Sequence, residues 1–156
     1  MGTDTDWNAV SASLYHTLAI KNDGTLWSWG SNYDGQLGLG DMDDRNTPQQ
    51  VGGDSDWMAL GGGGWHNSGA LKDDGTLWNW GDQNNYYSHV LDCDAVDCKY
   101  PQQVGSDTDW DAYTVGKYHN LAIKYDSTLW SWAYNEEGQL GLGATGRYVS
   151  NPTVIR

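Results

Sequence analysis

Histidine, the side chain best suited to metal binding and proton transfer near neutral pH, recurs in this chain at a constant distance after a tryptophan. His16, His66 and His119 each follow a tryptophan by nine residues. Zinc would need these imidazoles to converge, whereas each one opens a predicted strand in a different part of the chain. A histidine in that place usually hydrogen-bonds to backbone in a neighbouring loop. We therefore expect a structural role for all three and no metal site.

The only two cysteines lie close together, in Leu91-Asp-Cys-Asp-Ala-Val-Asp-Cys-Lys99. No other thiols exist to complete a four-ligand zinc site, so a disulfide between Cys93 and Cys98 is the favoured interpretation, with two free thiols as the alternative. The loop that this bridge closes is short, so its effect on global stability should be small. A disulfide indicates an oxidising compartment, and with the acidic composition it favours an extracellular location.

Paired carboxylates precede each of the three tryptophans, as Asp4-x-Asp6, Asp54-x-Asp56 and Asp107-x-Asp109. Calcium prefers clusters of oxygen ligands, but no stretch has the ligand spacing and closing glutamate of the EF-hand loop. Turn formation and strand capping are the simpler interpretation of these aspartates.

The sequence contains no motif for catalysis. It has neither a Gly-x-Ser-x-Gly elbow nor a phosphate-binding P-loop, and the adjacent Glu136 and Glu137 are more typical of a solvated loop. The chain has 21 Asp and Glu against 8 Lys and Arg, a formal net charge of −13, which would repel nucleic acid. No apolar run approaches the ~20 residues of a membrane helix. We expect a protein that is not an enzyme, binds no cofactor or nucleic acid, and does not insert into a membrane.

The residues considered so far belong to a segment that occurs three times. His16-Thr-Leu-Ala-Ile-Lys-Asn-Asp-Gly-Thr-Leu-Trp-Ser-Trp29 returns as residues 66–80 and again as residues 119–132. The repeat tryptophans are 50 and 53 residues apart, a period typical of propeller blades or solenoid turns; they are Trp7, Trp57 and Trp110. The pattern predicts one repeat domain over residues 1–156, with repeats at about 4–53, 54–106 and 107–156.

Each repeat predicts four short strands, which in the first repeat fall at residues 7–10, 16–20, 25–29 and around 49–51. Asn22-Asp-Gly24 and Asp73-Asp-Gly75 suit a tight hairpin between the two middle strands, because glycine readily adopts a positive φ. The third repeat has Asp126-Ser127 there, which predicts a strained or different turn.

The third strand has side chains suited to burial on both faces. Leu26 and Ser28 face one way, and Trp27 and Trp29 face the other. A sheet in a propeller is covered by a neighbour on each side, so this pattern favours stacked blades.

Four motifs together resemble the regulator of chromosome condensation repeat, which is found in β-propellers. They are Ala-Val-x5-His-Thr-Leu-Ala-Ile at residues 9–20, Asp-Gly-Thr-Leu-Trp-x-Trp-Gly at 23–30, Gly-Gln-Leu-Gly-Leu-Gly at 35–40 and 138–143, and Pro-x-x-Val at 48–51. The chain departs from the pattern at Ser13 and Ala133, where the family has glycine. The expected repeat anchors are the three histidines, Trp7, Trp57, Trp110, and the pairs Trp27 and Trp29, Trp78 and Trp80, and Trp130 and Trp132.

The resemblance implies an all-β fold of three propeller blades, each with four antiparallel strands. Complete propellers of this family usually have about seven blades, so three form an incomplete propeller with an open face on each terminal blade. Covering ~400 Å² of apolar surface on one face would contribute ~10 kcal/mol before the costs of association. We therefore expect the chain to bind other copies of itself through its terminal blades, as a closed ring or a filament that serves as a structural or interaction scaffold.

The alternative function is a protein-binding module that uses the long loops, resembling the GTPase regulators or enzyme inhibitors of this family. The corresponding segment is long in every repeat, but the one at residues 82–100 has a non-repetitive sequence in place of the Gly-Gln-Leu-Gly-Leu-Gly motif. Tyr86, Tyr87 and His89 are its candidate contact residues, because aromatic side chains are enriched at interfaces.

Overall fold

The computed structural model describes residues 4–62, 64–81, 97–146 and 148–156, which form three sheets of four antiparallel strands and a short 3-10 helix at Asp97–Lys99. The first blade contains β1 (Trp7–Ala12), β2 (His16–Lys21), β3 (Leu26–Gly30) and β4 (Arg45–Gln50). The second contains β5 (Trp57–Leu60), β6 (Asn67–Lys72), β7 (Leu77–Gly81) and β8 (Gln102–Gln103). The third contains β9 (Trp110–Val115), β10 (His119–Lys124), β11 (Leu129–Tyr134) and β12 (Tyr148–Val154). The predicted all-β fold with four-stranded blades is confirmed, and no described helix could span a membrane.

Strands two and three of the first blade lie within a residue of their predicted positions, whereas the outer strands are longer. β1 continues to Ala12, and β4 begins at Arg45 instead of near residue 49. The residues of β4 are mostly exposed, so no alternation of apolar and polar side chains marks its start in the sequence.

The hairpin turn of the third blade keeps the geometry of the other two despite its different sequence. Gly24 has a φ of +78°, and its N–H donates to the Lys21 carbonyl at 3.0 Å. Ser127 has a φ of +67° and donates in the same way to the Lys124 carbonyl at 2.8 Å. The turn type is therefore unchanged, and a non-glycine residue adopts the left-handed conformation, which is the predicted strain.

The second blade differs from the others in the position of its histidine. His16 and His119 begin the second strand of their blades, but Asn67 takes that place in the strand ladder of the second blade. His66 precedes the strand because β6 begins ten residues after Trp57, whereas β2 begins nine residues after Trp7. Equal spacing from the tryptophan therefore does not mean an equal position in the blade.

Two hydrophobic clusters lie between consecutive blades. In the first, aliphatic residues of the first blade meet tryptophans of the second; its members include Leu18, Ile20, Leu26, Val51, Trp57 and Trp80. The second cluster repeats this pattern with Leu71, Leu77, Val104, Trp110, Tyr113 and Trp132. Each blade thus has a leucine-rich face and a tryptophan-rich face, and at both junctions the leucine-rich face of one blade meets the tryptophan-rich face of the next.

Candidate functional site

The tryptophan-rich face of the first blade is open. Trp7 is 36% exposed, whereas its counterparts Trp57 and Trp110 are 4% and 1% exposed. The ring centroids of Trp27 and Trp29 lie 6.0 and 6.1 Å from that of Trp7. The same packing occurs in the second blade, at 6.0 and 6.2 Å, where the first blade covers it. The open face therefore already has the geometry of a face that receives a blade.

A concave pocket of about 390 Å³ lies in this open face, lined by Trp7, Trp27 and Trp29 together with Asp4, Thr47 and Pro48. At the junction of the first and second blades, aliphatic side chains of the first blade, including Leu18 and Ile20, pack against the equivalent tryptophans. The pocket therefore suits aliphatic side chains presented by another blade.

The leucine-rich face of the third blade is also open. Ile123 and Leu129 are each 39% exposed, while Ile20 and Leu26, at the same positions of the first blade, are fully buried. Two half-buried residues extend this face: Leu121 and Ile155. Contiguous exposed apolar residues of this kind usually mark an interaction surface.

The aspartate pairs before each repeat tryptophan bind a lysine of the same blade. Lys72 Nζ lies 2.6 Å from Asp54 Oδ2 and 3.1 Å from Asp56 Oδ1, and 4.9 Å from the centre of the Trp57 ring. Burial disfavours the charge on Lys72, but the hydrogen bonds to both carboxylates raise its pKa. The other two blades repeat the arrangement at Lys21 and Lys124. Within the described ranges, no group of three or more metal-ligating side chains comes together.

His16 is buried at the junction between the first two blades. Its Nε2 lies 2.7 Å from Ser68 Oγ, which donates its own hydrogen to the Gln36 carbonyl at 2.7 Å. The histidine nitrogen is therefore the donor in the bond to Ser68. Burial, with a smaller effect of His66, lowers the pKa of His16 to about 4. The imidazole is neutral and links two blades.

This buried histidine should make stability depend on pH. The unfolded chain binds a proton on His16 near pH 6.5, whereas the folded chain binds it only near pH 4. The contribution of neutral His16 to the free energy of unfolding should therefore be complete above about pH 6.5. As the pH falls towards 4, the free energy of unfolding should decrease by up to ~3 kcal/mol. Urea unfolding across this range should show a shallower decrease in His16→Asn, which introduces the residue that the second blade has at this position. His119, whose pKa burial also lowers, stays in both proteins. An equal pH dependence of the two proteins would contradict this assignment.

The structure brings the anchor tryptophans together by blade and places the other candidates separately. His66 Nδ1 lies 2.5 Å from Asp34 Oδ2 of the first blade, which gives it a structural contact different from that of His16.

Cys98 is buried and disulfide-bonded. Its predicted partner Cys93 lies outside the described residues, so that pairing stays a prediction. The three candidate contact residues of the long loop are also outside the described ranges: Tyr86, Tyr87 and His89.

The Gly-Gln-Leu-Gly-Leu-Gly loop of the first blade receives a tryptophan of the second. Trp80 Nε1 donates to the Gln36 carbonyl at 3.0 Å. A Cβ added to Gly38 would lie 2.8 Å from that nitrogen, so glycine permits the close approach of the Trp80 ring. The role of the Gln36 carbonyl was not predicted, although the glutamine recurs at Gln139 in the third blade.

Tyr113 fills a space at the second junction, a role that the sequence did not predict. Its hydroxyl donates to Asn120 Oδ1 at 2.6 Å and accepts from Asn79, and burial raises its pKa. A Cβ added to Gly61 or Gly69 would lie 2.1 or 2.2 Å from the tyrosine ring. The ring therefore occupies space that the two glycines leave free.

Comparison with known proteins agrees with this architecture. The profile of the family described as Regulator of chromosome condensation (RCC1) repeat matches residues 23–69, and a second profile of the same description matches residues 7–36. The chain is similar to the Ultraviolet-B receptor UVR8 of Arabidopsis thaliana, with 32% identity over 139 residues that cover 86% of this chain and 31% of the receptor. It is also similar to Protein pim1 of Schizosaccharomyces pombe, with 26% identity over 167 residues that cover 95% of this chain and 31% of pim1. The chain spans about a third of the length of these relatives.

Two solved structures show the same fold. Human WBSCR16 superposes with a TM-score of 0.80 at 21% identity, covering 99% of this chain and 39% of that protein. Prp20p of Saccharomyces cerevisiae, which has been studied for binding to Gsp1p and histones, has a TM-score of 0.78 at 22% identity and covers 97% of this chain and 38% of its own. At these identities the likeness establishes the β-propeller fold and nothing more specific.

Proposed function

This chain is an RCC1-type repeat protein, and we propose that it is a non-enzymatic scaffold that self-associates head to tail through its two open blade faces. The leucine-rich face of one copy would cover the tryptophan-rich face of the next. The observation that carries the proposal is that the two open faces have the same kinds of side chains as the faces that meet at the junctions inside the chain.

The side chains at the centre of the two faces have complementary sizes. At the second junction Gly69 faces Tyr113, and at the first junction the residues at these positions, Leu18 and Leu60, belong to one hydrophobic cluster. At the open faces, Leu121 occupies the position of Leu18, and Val10 occupies the position of Leu60. A leucine facing a valine resembles the aliphatic pair of the first junction, whereas a leucine facing a tyrosine would overfill the space. The third blade therefore suits the first blade of another copy.

A hydrogen-bond acceptor is also in place for this contact. Trp29 occupies the position of Trp80, whose indole donates to the Gln36 carbonyl. The corresponding loop of the third blade has the same internal bond: the Leu140 N–H donates to Asn135 Oδ1 at 3.1 Å, as Leu37 donates to Asn32 at 2.9 Å. In a head-to-tail pair, the Gln139 carbonyl would therefore accept from Trp29 of the next copy.

The net charge predicts how salt affects this association. Each copy carries a formal charge of −13, so two copies repel each other at a distance, while the contacting faces are apolar. Raising the ionic strength from about 0.01 to about 0.1 M shortens the Debye length from about 30 to about 10 Å. Association should therefore strengthen with added salt.

Sedimentation velocity over a range of protein concentrations tests the proposal. The wild-type chain should sediment faster as its concentration rises, and Ile123→Asp should remain monomeric because its carboxylate would be buried without a partner. Met58→Asp is the matched control, since Met58 is exposed and the third blade has Asp111 at this position. Growth to a fixed size would indicate a ring, and continued growth a filament.

A wild-type chain that remains monomeric at every concentration and salt level would overturn the proposal. The protein-binding module that the sequence predicts as an alternative would then be the better account. Equal loss of association in Met58→Asp and Ile123→Asp would also contradict the assignment of the interface to the open faces.

A further inference from the structure

The hairpin turn of the third blade carries a side chain where the turns of the other blades have none. Ser127 stands at the position of Gly24 and Gly75, with the same sign of φ and the same turn hydrogen bond. The next residue, Thr128, also bonds to Asp126 Oδ1 through its N–H at 3.0 Å, as Thr25 does to Asp23. The Ser127 side chain is therefore the feature that distinguishes this turn.

At both internal junctions, the glycine makes room for the backbone that leads into the next blade. A Cβ added to Gly24 would lie 2.1 Å from the Ser55 carbonyl oxygen, and one added to Gly75 would lie 2.2 Å from that of Thr108. Two residues later, the backbone N–H of the repeat tryptophan donates to the glycine carbonyl, at 3.1 Å for Trp57. The incoming backbone therefore docks directly on the turn.

The same approach at the third blade would bring a second copy against Ser127. In the proposed head-to-tail pair, Thr5 takes the place of Ser55, and Trp7 takes the place of Trp57. The Cβ added to Gly24 lies 2.1 Å from the Ser55 carbonyl oxygen. If the second copy docked as blades do inside the chain, the Thr5 carbonyl oxygen would lie about equally close to the Ser127 Cβ, which is much closer than van der Waals contact. Both groups are fixed to backbone, so no flexible side chain can move away. The incoming segment must shift outward and lose its bond to the turn.

We propose that Ser127 is a specificity-determining residue of the leucine-rich face: its Cβ blocks the close docking that internal blades achieve and so weakens the binding of a second copy. This inference rests on the proposed self-association. The apolar side chains of the face still bind, while the backbone contact on the turn does not form. The contact between copies is therefore weaker than the contact between consecutive blades of one chain.

Sedimentation equilibrium of Ser127→Gly tests the inference, with Ser127→Ala as the matched control that keeps the Cβ and removes the hydroxyl. Ser127→Gly should bind itself about tenfold more tightly than wild type, which corresponds to one restored backbone hydrogen bond. Ser127→Ala should stay within about twofold of wild type, because a Cβ remains at the same place. The melting temperature, measured at a concentration where all three proteins are monomeric, reports the relief of backbone strain separately.

The outcomes separate the inference from the proposed function. If all three proteins associate with equal affinity, self-association stands and the role of Ser127 is wrong. If Ser127→Gly associates and wild type does not, the blocking role of Ser127 is supported and the proposed self-association of the wild-type chain is overturned. If none of the three associates, both proposals are overturned.

Discussion

Replacing Trp80 with alanine should lower the free energy of unfolding by about 3–5 kcal/mol, whereas replacing Trp29 should lower it by less than half as much. The two residues occupy the same position in consecutive blades. Trp80 is fully buried between the first and second blades and donates a hydrogen bond to Gln36. Trp29 lies on the open face, so its removal leaves no enclosed cavity. The difference comes from the covering blade alone.

Urea unfolding at low protein concentration, in an Ile123→Asp background that prevents association, measures both losses. At higher concentration, without that background, Trp29→Ala should weaken self-association because it removes part of the receiving face. Equal destabilisation by the two substitutions would contradict the assignment of Trp80 to an internal junction and Trp29 to an open face.

Replacing Gly69 with leucine should lower the free energy of unfolding by about 3 kcal/mol, at the upper end of overpacking effects. A Cβ at Gly69 would lie 2.2 Å from the Tyr113 ring and 3.0 Å from the Trp78 carbonyl oxygen. In the first blade, Leu18 occupies this position in the buried cluster of the first junction, where Leu60 stands at the position of Tyr113.

A double-mutant cycle with Tyr113→Leu shows whether these two residues are matched to each other. The Tyr113→Leu substitution alone should also destabilise, because it leaves Asn79 and Asn120 without their buried partner. The double variant should lose about 2 kcal/mol less free energy of unfolding than the sum of the two single losses, since the leucine at position 69 then has space. Additive losses in urea unfolding would argue against matched packing at this junction.

The blade architecture could be predicted from the sequence because repetition supplies the same information three times. The Trp27 and Trp29 side chains face one way and Leu26 the other, and the structure shows that these are the faces through which blades meet. With three repeats, one face of the first blade and one face of the third blade are not covered by another of these three blades. The open faces of the candidate site therefore follow from the repeat itself.

Features that depend on contacts between blades could not be predicted in the same way. Gly69 and Tyr113 are far apart in the chain. Nothing in the sequence around either residue indicates that the two are in contact. The position of Asn67 was missed because counting from the tryptophan cannot detect an extra residue in the preceding connection. The aspartate pairs were predicted to form turns and strand caps, whereas Lys72 and its counterparts bind them from a neighbouring strand.

The head-to-tail contact is tested most directly by mixing two variants that each have one blocked face. Val10→Asp places a charge on the tryptophan-rich face, where Val10 is exposed, and Ile123→Asp places one on the leucine-rich face. Each variant alone should be monomeric. An equimolar mixture should form a dimer with one copy of each and grow no further, because the single intact face of each type is then used. A mixture that stays monomeric while the wild type associates, or either variant associating alone, would contradict a contact between these two faces.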